Sequence, residues 1–185
     1  MKFVVTSKYL GMILFSLLVV FTLIPACGKK PSGLTDSDRA NIYAAVIRQT
    51  YAIDHTFGVG NSPNFPVVYL PRVTDDSAGD PNLSRGSSSW LSQSVQEAIM
   101  SVLHDLPAKF IWVDNRSEVP MDKDGVAGNG AIIYFGNIYL QKDGSVQVAT
   151  GLFFASLGGG GTTYVLKLEN NTWIITGDTG KHWIS

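Results

Sequence analysis

One cysteine, Cys27, stands in a chain of 185 residues, which excludes an intrachain disulfide. Charge is also scarce, at 16% of residues, and histidine occurs three times. Two of the 14 basic residues, Lys2 and Lys8, precede Cys27 and none of the 15 acidic ones does, so the remainder carries a formal charge of −3. Nowhere do Lys and Arg cluster as a phosphate-backbone partner requires, so no nucleic acid is expected as a partner. Apolar content is ordinary for a globular protein, which speaks against disorder, and the length fits one domain. There is no nucleophile–base set, no metal-ligand spacing and no dinucleotide or phosphate-loop fingerprint, so no cofactor is expected.

What is present begins at the amino terminus. Lys2 and Lys8 form a positive start, residues 9–24 are almost all apolar, and Ile24-Pro25-Ala26-Cys27 follows. Such an order describes a secretory signal peptide, and the apolar run is short for a span of about 20 residues. The final four residues resemble the lipobox of bacterial lipoproteins: aliphatic Ile24, small Ala26 and the cysteine. The resemblance implies a diacylglyceryl thioether on Cys27 and palmitate-class acylation of the new amino terminus. Residues 1–26 are then the leader, residues 27–34 a flexible tether and residues 35–185 a single domain. The expected location is extracytoplasmic, anchored to a bacterial membrane. Two or three acyl chains, at about 0.8 kcal/mol per buried CH₂, hold where one would not.

Downstream, the pattern predicts an α+β domain: two helices packed on a mainly antiparallel sheet that ends in a four-stranded meander. Thr35 can cap a helix whose first turn carries Asp36 and Asp38, and Ile42, Val46 and Ile53 recur at helical spacing through about Asp54. Val67-Val68-Tyr69-Leu70, bracketed by prolines, reads as an edge strand. Residues 73–89 read as a long loop. Ser94 and Glu97 form a capping box for the second helix, with Leu91, Val95, Ile99, Val102, Leu103 and Leu106 on one face. Residues 109–113 read as a strand and residues 114–130 as a polar connection. Residues 131–176 hold the meander, with turns expected at residues 141–144, at glycines 158–161 and at Asn170-Asn171. Ile132 and Tyr134 share one face with Ile138 and Leu140, and Ile133 and Phe135 share the other with Tyr139.

Candidate chemistry is thin. Asp54-His55 at the first helix's end can act as an acid–base pair, with His104 as a further candidate; the plainer alternatives are a dipole-facing and a packed histidine. Asp75, Asp76 and Asp80 in the long loop are candidate cation ligands or merely solvated acids. Asp114, Asp122 and Asp124 are candidates for a looser calcium site, because Asp122-Lys123-Asp124-Gly125 supplies only part of an EF-hand loop and no helix follows. The closing segment, residues 164–173, resembles the final hairpin of cystatin-like and NTF2-like domains, which end on a Trp-bearing strand. That likeness implies a cone with a cavity, lined here by Tyr51, Tyr134, Phe154 and Tyr164, but it assigns no catalytic residues. The expectation is a non-catalytic binding or envelope protein with an unknown protein or small-molecule partner. The alternative is an NTF2-like ligand-binding domain or enzyme.

Overall fold

In the computed structural model, which describes residues 33–52, 65–80 and 88–185, Thr35 opens the first helix, α1 (Asp36–Ala52). The Asp38 backbone N–H donates to Thr35 Oγ1 at 3.1 Å, and the Thr35 N–H donates to Asp38 Oδ2 at 3.0 Å. This reciprocal pair satisfies two donors that a helix start leaves unpaired. Ile42, Val46 and Ile47 lie on the buried face and are fully enclosed. Cys27, Asp54 and His55 lie outside the described residues.

The second helix, α2 (Gln93–Leu103), is capped by Ser92 rather than by Ser94 as the capping-box pattern implied. Ser92 Oγ accepts the Val95 N–H at 3.3 Å, and Glu97 accepts from Gln93 instead of closing a box. The chain before it explains the shift. The Leu91 N–H is bonded to the Arg72 carbonyl and Trp90 bridges Val73, so the last extended residue is Ser92. Ser94 is left free to donate to Asp36 Oδ2 at 2.6 Å, which joins the two helix starts.

Seven strands form one sheet: β1 (Val67–Pro71), β2 (Lys109–Val113), β3 (Ala131–Phe135), β4 (Tyr139–Leu140), β5 (Val146–Ala155), β6 (Gly158–Glu169) and β7 (Thr172–Ile184). Their order is β2-β1-β3-β5-β6-β7, with β4 also paired to β5. The fold is α+β, with a mostly antiparallel sheet and a C-terminal meander. Strand β1 corrects the edge assignment drawn from its prolines. It runs parallel to both neighbours, with Val68 opposite Phe110 and Ala131, and Val68 and Leu70 are fully buried. Pro66 precedes the strand and Pro71 is its last residue, so no interior rung needs their missing N–H.

The four glycines at 158–161 are likewise not a turn. They are the first four residues of β6, and the turn is Ser156-Leu157. A tertiary contact selects glycine here. A Cβ on Gly161 would stand 2.2 Å from the Ala78 carbonyl oxygen and 2.4 Å from the Trp183 indole nitrogen. The first meander strand is broken into β3 and β4 at residues 136–138, and the turn at residues 141–144 joins β4 to β5.

Most of the core lies between the helices and one face of the sheet, where Ile42, Ile47, Ile99, Leu70, Ile133 and Leu166 share a single cluster. Within it, Thr50 Oγ1 meets Thr150 Oγ1 at 3.0 Å, and Thr150 donates to the Tyr134 carbonyl at 3.0 Å. The opposite face carries a smaller cluster, Val113, Val119, Val126 and Ile132, with Tyr69, Tyr134 and Phe153 against it. Ile132 and Ile133 therefore serve different clusters, as their alternation predicts, but Ile138, expected on the face of Ile132, packs on the helix-side cluster because the strand breaks at residues 136–138.

Candidate functional site

Strands β1, β2 and β3 run parallel, so their carboxyl ends lie together. The chain leaves β1 and β2 there in two polar loops. Parallel sheets commonly bind ligands outside such ends, where loops diverge. Here the two loops fold back over the outer face of the sheet, away from the helices, and frame a groove between them.

The loop after β1 is fixed by its own side chains. Asp75 Oδ1 accepts the Ser77 N–H at 3.0 Å and the Ser77 hydroxyl at 2.5 Å, which caps one turn of 3₁₀ helix, Asp76–Ala78. Asp76 reaches across to the break between β3 and β4. Its Oδ1 accepts the Asn137 N–H at 2.7 Å, and its Oδ2 accepts the Tyr139 hydroxyl at 2.5 Å. That bond to Asp76 pushes the Tyr139 phenol above its usual range, with burial adding to it. A Cβ on Gly136 would fall 2.6 Å from Asp76 Oδ1, so the bare backbone there admits the carboxylate.

The loop after β2 is a second short 3₁₀ turn, Arg116–Glu118, capped by Asn115 Oδ1 accepting the Ser117 N–H at 3.0 Å. Glu118 ties it down by accepting from the Asp114 N–H at 3.2 Å and from Asn115 Nδ2 at 2.9 Å. The turn places the Arg116 guanidinium 4.2 Å from the centre of the Phe153 ring, a cation–π contact. Among the described residues no carboxylate pairs with Arg116.

Between the loops lies a groove of about 350 Å³, lined by Asp75, Ala78, Arg116, Tyr134, Phe153 and Trp183. A second hollow of about 330 Å³ shares Asp75 and Tyr134 and extends to Asn115 at the strand ends. Tyr134 and Asp75 thus stand between the two hollows and line both. Burial pushes the Tyr134 phenol up; Arg116 acts downward and Asp75 upward. Trp183 lines the floor and donates its indole N–H to the Ala78 carbonyl at 2.9 Å. The Tyr134 hydroxyl, Asp75 Oδ2 and the Arg116 guanidinium have no hydrogen-bond partner among the described residues. Such convergent polar groups over apolar walls are what small-molecule sites present.

Of the residues singled out from the sequence, Asp75 and Tyr134 line this groove, whereas the other described candidates fall elsewhere. His104 is exposed at the end of α2, where its Nδ1 lies 2.7 Å from the Ser101 carbonyl. Asp114 is ion-paired with Arg72. Asp122 Oδ1 accepts the N–H groups of Asp124 and Gly125 at 2.8 and 3.0 Å, an ordinary turn cap. Asp124 is exposed and lies 3.9 Å from Lys123. Among the described residues no three His, Cys, Asp or Glu side chains are grouped to hold a metal. The four aromatics expected around an interior cavity are divided between the faces. Tyr51 and Tyr164 are buried on the helix side, where Phe154 packs on Phe65, whereas Tyr134 belongs to the outer groove.

Sequence reasoning passed over Arg116 and Asp75 as a pair, since 41 positions separate them and only the parallel strands bring their loops together. Trp183 did carry a signal, being the tail's one aromatic at a strand position. Among the described residues no helix is long and apolar enough to cross a membrane. Compared with known proteins, the chain matches no family model, no curated protein and no solved structure.

Proposed function

We propose that this protein is a lipid-anchored extracytoplasmic binding domain, acylated on Cys27, which recognises its ligand in the groove around Tyr134 without transforming it. The observation that carries the binding role is the convergence of Tyr134, Asp75 and Arg116 on one depression with polar atoms unused. Asp75 and Tyr134 are half-buried, and leaving polar atoms there unpaired costs free energy that a ligand pairing them recovers, with the exposed Arg116 at the rim adding a donor. The anchor rests on the order of leader, Ile24, Ala26 and lone Cys27. A non-catalytic role is supported by where the described acid–base and acidic candidates are engaged. His104 sits on a helix end, and Asp76 and Asp114 are engaged in fixed hydrogen bonds.

Intact mass of protein extracted from the membranes of its native host tests the anchor. Wild-type chain should begin at Cys27 and carry the mass of a thioether lipid and its acyl chains. The Cys27→Ala variant should keep its leader and carry none. A free thiol on the wild type defeats the anchor and leaves the groove to be judged separately.

A further inference from the structure

We infer that the ligand of this groove is a saccharide, bound with a ring face against Trp183 and its hydroxyls shared among Asp75, Arg116 and Tyr134. This rests on the binding role proposed above and gives it a chemistry.

The available groups differ in what they can do. The Arg116 guanidinium only donates, the Asp75 carboxylate only accepts, and the Tyr134 hydroxyl does either. One positive and one negative group give a site with little net charge. A carboxylate or phosphate ligand would gain from Arg116 and meet repulsion from Asp75; an amine would meet the reverse. A neutral molecule bearing several hydroxyls, each a donor and an acceptor, answers all three groups at once.

The floor selects for the same class. The indole N–H of Trp183 is already committed to the Ala78 carbonyl, so the ring is left to contribute apolar surface. The strand beneath it is glycine, with Gly159 and Gly161 leaving room for the ring to settle on the backbone. Phe153 lies nearby with a ring face already covered by Arg116, so Trp183 supplies the open platform. The C–H faces of a pyranose ring cover such a surface while its rim hydroxyls point outward to the polar groups. The site is also built in advance. The Asp75 cap on Ser77 and the Asn115–Glu118 ties hold both loops before any ligand arrives, which lowers the ordering cost of binding.

The test uses the full chain in detergent micelles, with tryptophan fluorescence and calorimetry as readouts. The probes are maltotetraose, cellotetraose and chitotetraose, with a neutral tetrapeptide and a dicarboxylate as comparators. The expected result is saturable binding of at least one oligosaccharide, and of neither comparator, at up to millimolar concentration. Tyr134→Phe, which removes one hydroxyl, should weaken that binding about three- to ten-fold, and Arg116→Met about ten-fold or more, with both variants folded and melting within a few degrees of wild type. Arg116 is exposed, so its variant keeps the test valid if Tyr134→Phe folds poorly. Peptide or dicarboxylate binding that Arg116→Met abolishes, with no oligosaccharide bound, overturns the saccharide and leaves the groove as a binding site. Oligosaccharide binding that neither variant changes overturns both, because the sugar then sits elsewhere. No binding of any oligosaccharide by folded protein overturns the inference.

Discussion

The indole N–H of Trp183 donates to the Ala78 carbonyl oxygen at 2.9 Å, joining the last strand of the chain to the loop that follows the first. The contact crosses the outer face of the sheet at its glycines. Gly151 of β5 and Gly161 of β6 are register partners, and a Cβ on either would stand within 2.6 Å of that same carbonyl oxygen. The loop after β1 therefore rests directly on backbone, and Trp183 lies beside it on the same glycines. One wall of the groove depends on this arrangement.

Gly161→Ala should accordingly be among the most damaging small substitutions in the protein. Two of the three atoms its Cβ would meet are backbone oxygens, of Ala78 and Thr150, which cannot swing aside. Overpacking of this kind costs about 1–3 kcal/mol. Urea denaturation should show that loss, whereas Gly128→Ala, with open space around it but a left-handed backbone, should cost less, about 1 kcal/mol. Equal losses for the two would mean that the contact with Ala78 is not made.

Trp183→Phe keeps most of the ring and removes the donor. The Ala78 carbonyl then loses a partner in a partly buried setting, at about 1 kcal/mol. Hydrogen exchange of the Ser77 and Ala78 amides should quicken relative to wild type, while exchange in β1 and β3 stays slow. Unaltered exchange at Ser77 would show that the Asp75 cap and the Asp76 bonds hold the loop without Trp183.

The buried hydroxyl pair between helix and sheet offers a separate probe. Thr150→Val conserves shape but strips the donor to the Tyr134 carbonyl and the partner of Thr50. Thr50 retains the Val46 carbonyl at 2.9 Å, so only part of the network is orphaned. A loss of about 1–2 kcal/mol in thermal or urea unfolding is expected, and Thr50→Val/Thr150→Val should cost less than the sum of the single changes.

Asp38 should make stability fall in acid. Its carboxyl is held below the usual range, first by the Thr35 hydroxyl, then by the Trp173 indole and the Thr35 N–H. A group whose folded-state pKa is depressed stabilises the fold above its unfolded value, near 3.9, and that stabilisation disappears as pH falls through the folded value. Asp38→Asn should therefore lower stability at neutral pH by about 1 kcal/mol and converge with wild type as pH falls through the depressed folded-state value of Asp38. Urea midpoints measured from pH 7 to pH 2 would reveal a constant gap if Asp38 acts only through packing.

The first helix was legible because its determinants are local. Thr35 and Asp38 lie three residues apart, and the apolar positions repeat within one element. The same holds for the turn at residues 141–144, where Asp143 Oδ1 accepts the Ser145 N–H at 3.1 Å. For α2 the helix was readable but its start was not, since Ser92 and Ser94 offer the same hydroxyl. The bonds that choose Ser92 come from Arg72 and Val73 on another element. The candidate site was hardly legible at all. Acid spacing drew attention to Asp122 and Asp124, which cap their own turn, whereas Asp75, Arg116 and Tyr134 have no pattern that links them.

Sequence alone determined the two helices, the alternation that puts Ile132 and Ile133 on opposite faces of the sheet, and the α+β class. These follow from periodicity and capping, which act over a few residues. Tertiary structure alone decided that β1 lies inside the sheet, that the glycines at 158–161 are strand rather than turn, and that a groove forms around Tyr134. Each of those depends on which distant backbone comes within 3 Å, and a chain read in one dimension does not contain that distance.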